Sequence, residues 1–448
     1  MNNPLGANST PLNENDESLP ADRMAVLFFV MLVTAAGNTA MQSVMPSIGT
    51  KLGVPDFWVT LAYSWSAILW VTMAPRWARM SDKRGRKALM HIGMLGFISS
   101  MGFCGLTLWF GFNGYLTAVG TFIIFAMFRS LYGGFGSAAP PAVQAYVASR
   151  TPRAKRTKAM SLIASSFGLG TVVGPAIAPY LMVPAIGLAS PLIMFAFIGV
   201  VVILALRFRL PNDDPRFMAQ GVVTAEPYSS GPPGATLFSA EETPGERLKW
   251  LDKRIRPWLA AGLIGGHAQA IMLGLAGFLV LDRLGLRDTP ELAFEPTGIV
   301  LMSGAVATLL AQWGLIPILH LGPRASILIG TAIAGTGCTI VGLASGLHGL
   351  TIGFAIASLG FGLFRPGFTA GASLAVRRSE QGAIAGMVAS TNGAAYIVAP
   401  ALGVFLYNVY APTPFIIIGT LCAFLMGWGF KTLKVSEYDE APAKEASP

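Results

Sequence analysis

Long apolar runs separated by short charged or Gly- and Pro-containing stretches make up most of this chain. A helix needs about 20 apolar residues to cross roughly 30 Å of hydrocarbon, and most of the runs reach that length. The pattern therefore predicts an all-α integral membrane protein with twelve transmembrane helices. The predicted segments are 24–48, 57–78, 88–110, 114–146, 158–182, 191–209, 257–281, 295–319, 324–345, 349–375, 382–407 and 413–433.

The polar stretches divide the chain into two halves. Residues 210–255 are rich in Pro, Gly, Ser and charge and lack an apolar period, so they are predicted to link two bundles, 23–209 and 256–433. Residues 1–22 are polar and acidic, which predicts a disordered N-terminal tail. Residues 434–448 form a polar C-terminal tail.

Two internal matches relate the halves. ASSFGLGTVVGPA (164–176) lies over ASTNGAAYIVAPA (389–401), and FRSLYGGFGS (128–137) lies over FRPGFTAGAS (364–373). Chance similarity between helices rich in small residues is the alternative, but two matches in the same order favour duplication. The chain is therefore predicted to form two pseudo-symmetric six-helix bundles with a midplane cavity between them.

The charge distribution predicts the orientation in the membrane. The chain is 53% hydrophobic and 12% charged, with a mean hydropathy of +0.59 and a net charge of +9. With the N-terminus inside, nearly all Lys and Arg lie on the inner side. The positive-inside rule then predicts both termini and the linker in the cytoplasm of a plasma membrane, the inner membrane if the source is bacterial. The net charge is thus a topology signal with some attraction to the lipid bilayer, and no nucleic-acid partner is expected.

The loop between the second and third segments reads RWARMSDKRGRK (76–87), six basic residues and one acid. It resembles the G-x-x-x-D-R/K-x-G-R-R/K loop of the major facilitator superfamily, with Ala78 in place of the first glycine. Gly85 allows a tight turn, and an acid at a helix end pairs with an arginine or a helix N-terminus. The residues that match the motif are Asp82, Lys83, Gly85, Arg86 and Lys87.

In that family this loop latches the two bundles in one state of the transport cycle, which implies a gating loop here. The corresponding stretch of the second half, HLGPRA (320–325), has no acid, so the latch would be one-sided. A topology signal alone is the other interpretation; it explains the basic residues but not the spacing of Asp82 and Gly85.

The fifth segment contains Gly170, Gly174 and Pro175, which resemble the G-x-x-x-G-P-x-x-G-G motif of proton-antiporting exporters in the same superfamily. Glycines one turn apart allow close helix approach, and proline kinks a helix. The final glycine pair of the motif is Ala178 and Pro179 here. The resemblance implies a twelve-span drug/H⁺ antiporter, and simple helix packing is the alternative.

Charged residues inside the segments are few. All 22 Asp and Glu lie in loops, tails or helix ends, so coupling to protons would not use a mid-span carboxylate. Arg129 and Arg365 lie in the fourth and tenth segments, at matching positions of the repeat. Arg129 with Gly133 resembles a family motif whose arginine is associated with proton transfer. The alternatives are that both arginines bind an anionic substrate, or that they bond to helix carbonyls and amides.

Other polar side chains suggest a cavity. His267 is a candidate for proton coupling because the unperturbed pKa of histidine lies near neutrality, although a lone membrane histidine is commonly a packing residue. Amides on both halves are candidates for the cavity wall: Asn38, Gln42, Gln269 and Asn392.

These features predict a secondary active transporter that works by alternating access. The favoured function is proton-coupled efflux of an amphipathic small molecule or drug, which confers drug resistance. The alternative is uptake or exchange of a small organic anion bound by Arg129 and Arg365. No catalytic cluster occurs in mid-span, so an enzyme, a cofactor and a metal site are not expected, and we expect a monomer.

Overall fold

A computed structural model describes residues 19–151, 153–211, 248–376 and 381–433. The described residues are almost entirely helical, with one isolated β-bridge between Val183 and Gly187. They form twelve long helical spans, which we number in chain order. Span 1 is Ala21–Lys51, span 2 Asp56–Arg84, span 3 Arg86–Phe112, span 4 Ala118–Gly134 continued by Gly136–Ala138 and Ala139–Ser149, span 5 Arg153–Ile177, and span 6 Ser190–Arg209. Span 7 is Arg256–Arg283, span 8 Phe294–Leu309 continued by Leu310–Leu315 and Ile316–Ile318, span 9 Pro323–Leu343, span 10 Leu347–Leu374, span 11 Gln381–Val409, and span 12 Thr413–Thr432.

The predicted all-α membrane architecture is confirmed. By length and apolar composition, 11 helices of the described residues qualify as membrane-spanning. The span that falls short is Arg153–Ile177, which begins with a basic turn and has many Ser and Gly residues. Span 1 begins at Ala21, slightly earlier than predicted. The predicted tails and linker fall mostly on 1–18, 212–247 and 434–448, outside the described residues.

The packing repeats from one half to the other. In the first half span 1 packs on spans 5 and 6, span 3 on spans 4 and 6, and span 2 on span 4. Adding six to each number gives the packing of the second half: span 7 on spans 11 and 12, span 9 on spans 10 and 12, and span 8 on span 10. The bundles meet through span 2 with span 11 and through span 5 with span 8. The pseudo-symmetry relates these two contacts, because span 2 corresponds to span 8 and span 5 to span 11. The two bundles are therefore pseudo-symmetric.

Short loops make successive spans antiparallel and place charged groups at two ends. We call the end that carries Lys51, Asp56, Arg287 and Glu291 the ion-pair end. The opposite end carries Lys87, Arg207 and Arg324, and we call it the basic end.

Span 5 packs against span 1 through two glycines. A Cβ on Gly170 would lie 2.4 Å from the carbonyl oxygen of Leu32, and one on Gly174 would lie 2.2 Å from that of Ala36. No larger residue fits there unless the helices separate. Pro175 lies inside the helix one residue after Gly174, and its carbonyl oxygen faces Gly298 of span 8. This part of span 5 therefore contacts both bundles.

The stretch 76–87, predicted to be a loop, is helical except at Gly85, where a tight turn joins span 2 to span 3 within the first bundle. Gly85 has a φ of 87°, a backbone conformation that favours glycine. The buried Lys87 donates hydrogen bonds to the carbonyl oxygens of Leu210 and, at 3.2 Å, Arg207, at the end of span 6. Arg86 is buried beside it. The side chains of Asp82 and Lys83, predicted to belong to the latch, lie outside the described part of the structure.

The second bundle has an equivalent anchor at the start of span 9. Arg324 donates a hydrogen bond of 2.7 Å to the carbonyl oxygen of Phe430 at the end of span 12, and its guanidinium lies 5.1 Å from the Phe430 ring centre. Lys87 and Arg324 thus tie the third helix of each bundle to its sixth. Both contacts hold a bundle together as one body.

Candidate functional site

A central cavity lies between the two bundles at mid-depth. It holds about 700 Å³ of space, including the part open to solvent. Spans 1 and 5 of the first bundle and spans 7, 8, 10 and 11 of the second provide its walls. The lining residues are Ala35, Asn38, Thr39, Gln42, Phe167, Thr171, Pro175, Gln269, Leu273, Leu301, Gly304, Ala305, Thr308, Phe354, Ser358 and Tyr396.

A second cavity adjoins the first toward the ion-pair end and shares Gln42, Leu273 and Tyr396 with it. This adjoining cavity holds about 510 Å³. Its further lining residues are Met45, Pro46, Val59, Thr60, Tyr63, Ala270, Gly274, Phe278 and Pro400. Spans 1, 2, 7 and 11 surround it, so both bundles contribute to each cavity.

The structure brings three of the four predicted amides together in these cavities. Asn38 and Gln42 line them from span 1, and Gln269 lines the central cavity from span 7. Asn392 does not line either cavity; it is buried in span 11, one turn before Tyr396. Hydroxyl side chains and apolar residues, among them Phe and Leu, provide the remaining wall. Such a mixture of apolar walls and a few polar groups is typical of small-molecule sites.

Arg129 lies directly behind this wall. Its side chain is fully buried, and its Nη2 donates a hydrogen bond of 2.5 Å to Oδ1 of Asn38. The guanidinium carbon lies 4.4 Å from the ring centre of Tyr132 and 5.7 Å from that of Tyr63. The faces of these rings stabilise the cation in place of a carboxylate. Arg129 therefore reaches the cavity through Asn38 and does not line it.

Two N–H groups of Arg129 have no hydrogen-bond partner among the described residues. Both Nε and Nη1 are buried. An unsatisfied donor on a charged group is costly in a low-dielectric interior, and such groups concentrate where a structure changes during function. This observation favours a role for Arg129 beyond helix packing.

Arg365 is placed differently from Arg129. It is buried in span 10, where the nearby residues Phe364 and Phe368 belong to an apolar cluster near the basic end of the second bundle. Neither Arg129 nor Arg365 is among the residues that line the two cavities. The structure therefore does not bring the two arginines together on either cavity.

His267 also lies away from the two cavities. Its Nδ1 is 2.7 Å from the carbonyl oxygen of Leu263, four residues earlier on the same face of span 7. The Leu263 side chain is exposed and His267 is half-buried, whereas Gly274, two turns further along the same face, lines the adjoining cavity. Gln269, which lines the cavity, is two residues and about 200° further around the helix.

A charged cluster joins the bundles at the ion-pair end. Arg287, in the loop after span 7, donates hydrogen bonds of 2.9 and 2.7 Å to the two oxygens of Asp56 at the start of span 2. Its Nε donates a third, of 2.6 Å, to Asp282. Lys51 forms a second ion pair across the bundles with Glu291.

The planar guanidinium of Arg287 can donate two parallel hydrogen bonds to one carboxylate, as it does to Asp56. Burial works against its charge, but the hydrogen bonds and negative charges of Asp56 and Asp282 outweigh burial and raise the pKa of Arg287 above its usual range. Asp56 is itself buried, with 6% of its surface exposed. The cluster therefore holds the Arg287–Asp56 ion pair at a contact from which solvent is partly excluded.

Apolar contacts across the bundles accompany the ion pairs. The rings of Phe57 and Phe405 meet edge to face with their centres 5.9 Å apart. A Cβ on Gly277 would lie 2.4 Å from Cγ of Pro46, so spans 1 and 7 touch closely. These contacts lie in the half of the molecule near the ion-pair end. They close the cavities on that side.

Gln312 is a buried polar residue near the cavity that the sequence pattern did not single out. The side chain is buried in span 8, and neither its Oε1 nor its Nε2 has a hydrogen-bond partner among the described residues. It lies in a π-helical turn, Leu310–Leu315, one turn beyond Thr308 of the cavity wall. Pro317 follows and lacks the N–H that would bond to the carbonyl of Trp313, which favours the wider turn. Pro317 was therefore the feature of the sequence from which the wider turn could have been predicted.

Comparison with known proteins identifies the family. The family model described as "Major Facilitator Superfamily" matches residues 27–319. The multi-drug resistance efflux pump PmrA of Streptococcus pneumoniae is 25% identical over 214 residues, 47% of this chain and 50% of PmrA, so that match spans half of the relative's length. Multidrug resistance protein 2 of Bacillus subtilis is 24% identical over 433 residues, 93% of this chain and 96% of that protein.

Solved structures of transporters share the fold. The human organic anion transporter MFSD10 matches with a TM-score of 0.60 at 16% identity, over 93% of this chain and 100% of that chain. A bacterial homologue of the human lysosomal transporter Spinster, in an inward-facing and unoccupied conformation, matches with a TM-score of 0.64 at 12% identity, over 93% and 94% of the two chains. Together with the pseudo-symmetric bundles and the cavity between them, the family match establishes that this chain belongs to the Major Facilitator Superfamily, a family of membrane transporters.

Proposed function

We propose that this protein is a secondary active transporter that exports an amphipathic small molecule in exchange for protons. The observation that carries the proposal is the central cavity, whose apolar walls and amide groups come from both bundles. Rocking of the bundles about such a cavity exposes it to one side and then to the other. The relatives named as multidrug efflux pumps support export as the direction.

In the proposed orientation the basic end faces the cytoplasm. Lys87, Arg207 and Arg324 lie there, in agreement with the positive-inside rule. The ion-pair end then faces the outside, and the described conformation is closed to that side. A cargo molecule would enter the cavity from the cytoplasm or the inner leaflet.

Proton coupling without a mid-span carboxylate requires other groups. We propose that Asp56 and Asp282 let protons control closure of this end, because both bind Arg287 at the contact between the bundles. Protonation of either carboxyl group removes a partner of Arg287 and weakens closure, so protons from outside favour opening to the outside and release of the cargo there. The proton that crosses to the cytoplasm must be carried by another group, since these carboxyl groups lie at the outer end of the bundles.

A second candidate function is exchange of a small organic anion. The buried positive charge of Arg129 behind Asn38 favours it, and the human relative in fold is named an organic anion transporter. The position of Arg129 and Arg365 away from the lining of the two cavities weighs against direct binding of an anion.

Purified protein in liposomes that contain the pH-sensitive dye pyranine separates these functions. Addition of radiolabelled chloramphenicol, an uncharged amphipath, to liposomes with a preset pH gradient should produce a proton flux that depends on the protein. The Arg129→Ala protein, inserted at the same density, should give no flux. Exchange of a labelled aromatic carboxylate without any pyranine signal would contradict proton-coupled export and support the second candidate.

A further inference from the structure

The polar groups that line the two cavities are all uncharged. The central and adjoining cavities are lined by amides and hydroxyls, and no Lys, Arg, Asp, Glu or His is among the described residues that line them. The polar lining residues are Asn38, Thr39, Gln42, Thr60, Tyr63, Thr171, Gln269, Thr308, Ser358 and Tyr396. A ligand in this space therefore meets dipoles and apolar walls.

Arg129 fixes the direction of one of these dipoles. A guanidinium has N–H donors and no acceptor, so it can only pair with the amide oxygen of Asn38. With Oδ1 held by Arg129 at 2.5 Å, the remaining polar group of this cavity-lining side chain is its Nδ2 donor. The wall at Asn38 therefore offers hydrogen-bond donors, backed by a buried positive charge.

A permanent cation is poorly matched to this site. Transfer of a charge from water to an apolar environment is costly unless a partner of opposite sign is present. The lining residues supply no opposite charge, only ring faces such as those of Phe167 and Tyr396, and the positive charge behind Asn38 repels a cation. Acidic side chains of the described chain occur at the span ends, such as Asp56 and Asp282.

A carboxylate is also poorly matched, for a different reason. It would lose its hydration, and the guanidinium that would compensate it is fully buried behind Asn38. An uncharged carbonyl or amide oxygen loses less hydration and accepts the same hydrogen bond from Nδ2. Phe167, Leu273, Leu301 and Phe354 provide apolar surface for the rest of such a molecule.

We infer that the cargo is an uncharged amphipath that presents a carbonyl-type oxygen to Asn38 and an aromatic or aliphatic body to the apolar walls. This inference rests on the proposed function and narrows its substrate class. It predicts that lipophilic cations are not the preferred cargo of this transporter.

Three probes with one naphthalene body test the inference: 2-naphthamide is uncharged, 2-naphthoate is an anion, and trimethyl-2-naphthylammonium is a cation. Binding of each to the full-length protein in lipid nanodiscs is measured by equilibrium dialysis, with empty nanodiscs as the blank. The amide should bind at least about tenfold more tightly than either ion, a factor that one hydrogen bond without charge desolvation supplies. Equal binding of all three, preference for either ion, or no binding of the amide would overturn the inference.

A charge placed in the cavity should reverse the preference. In Gln269→Glu a carboxylate joins the lining, and binding of the trimethylammonium probe should rise by about tenfold or more. Asn113→Asp adds the same charge at an exposed position outside the cavities and should leave all three affinities unchanged. An equal gain in both variants, or no gain in Gln269→Glu protein that elutes as a monodisperse peak, would contradict the assignment of this cavity as the binding site.

These binding measurements do not depend on the direction or energy source of transport. A protein that prefers the amide probe but produces no proton flux in the pyranine assay would retain the substrate class and lose the proposed coupling. A protein that exports the cation probe with a proton flux would retain the proposed function and lose the substrate class.

Discussion

Arg287 and Asp56 join the two bundles through two parallel hydrogen bonds of 2.9 and 2.7 Å, although they lie 231 residues apart in the chain. One comes from the second bundle and the other from the first, so any motion that separates the bundles at this end must break the pair. Asp282 holds the same guanidinium from the second bundle. Arg287 can therefore stay with Asp282 while Asp56 leaves.

Asp56→Asn should shift the protein toward the conformation that is open at the ion-pair end. Arg287 is 35% exposed, so solvent screens the pair, and we expect a loss of about 1–2 kcal/mol, roughly a 5–30-fold shift in the conformational equilibrium. The measurement is the labelling rate of Thr60→Cys, in the adjoining cavity, by an impermeant maleimide. The native cysteines are replaced first.

The exchange variant with Asp56→Arg and Arg287→Asp is the control for this prediction. It keeps an ion pair between the bundles and should label more slowly than Asp56→Asn. If Asp56→Asn leaves the labelling rate unchanged, the pair does not hold this end closed.

The pH dependence of closure should come from the carboxylates. The pKa of Arg287 is raised, so its contribution to closure is fully present below the usual arginine pKa and would be lost only in strong alkali. The hydrogen bond from Lys51 lowers the pKa of Glu291 in the second ion pair across the bundles, so the contribution of this pair to closure is present above the usual glutamate pKa and is lost as the pH falls through the lowered value. Labelling of Thr60→Cys should therefore be constant from neutral to mildly alkaline pH and increase in acid, after correction for maleimide reactivity.

Glu291→Gln should reduce the acid response of this labelling, and Glu291→Gln combined with Asp56→Asn and Asp282→Asn should remove it. Asn113→Asp, which adds an exposed carboxylate away from the cluster, should leave the response as in the parent protein. An acid response that persists in the triple variant would assign it to other groups.

The sequence is sufficient to predict the twelve helices because each contains mostly apolar residues between charged or Gly- and Pro-containing stretches, although the run in Arg153–Ile177 is weaker than the other eleven. It also predicts the amides of the cavity, since a polar side chain within a span is costly unless it meets a partner or a polar space. Asn38, Gln42 and Gln269 follow this rule. Asn392 meets a partner instead of a polar space, and it is buried within the second bundle.

The pairing of these residues depends on how the helices are rotated, which no local pattern determines. Arg129 and Asn38 each stand out in the sequence, but their contact requires the particular faces that spans 4 and 1 present to each other. Asp56 and Arg287 look ordinary because charges at helix ends are common. The internal repeat relates Arg129 to Arg365 and suggests a shared role for them, but their surroundings in the structure differ.

Gly174→Ala should destabilise the first bundle. The added Cβ would lie 2.2 Å from the carbonyl oxygen of Ala36 and 2.4 Å from Oγ1 of Thr39, so span 5 must move away from span 1. Such overpacking costs about 1–3 kcal/mol. Thermal unfolding in detergent should show a lower Tm, and Gly427→Ala in span 12, where the added Cβ meets nothing within 4 Å, should not. An equal Tm in both variants would contradict the close packing of spans 1 and 5.

Arg129→Lys should lose most transport activity although the charge is kept. An ammonium lacks the planar face that stacks on Tyr132 and the fork that holds the Asn38 oxygen. Initial rates in the pyranine assay should therefore fall to nearly the level of Arg129→Ala, with unchanged monodispersity on size exclusion. Asn38→Asp provides the comparison, because a carboxylate still accepts from Arg129; it should keep the arginine in place and retain its Tm. Full activity of Arg129→Lys would mean that charge alone is required.

His267→Ala should leave the pH profile of transport unchanged. The imidazole is hydrogen-bonded through Nδ1 to the Leu263 carbonyl oxygen, is not among the residues that line the two cavities, and lies about 200° around the helix from Gln269, so we expect it to take no part in coupling. Transport rates of the variant and the parent protein are compared across pH values on both sides of the unperturbed histidine pKa of about 6.5. His320→Ala, which removes a histidine from the loop between spans 8 and 9, serves as the matched control. A profile that flattens in His267→Ala and not in His320→Ala would assign proton coupling to span 7, and the carboxylates at the ion-pair end would then have a gating role alone.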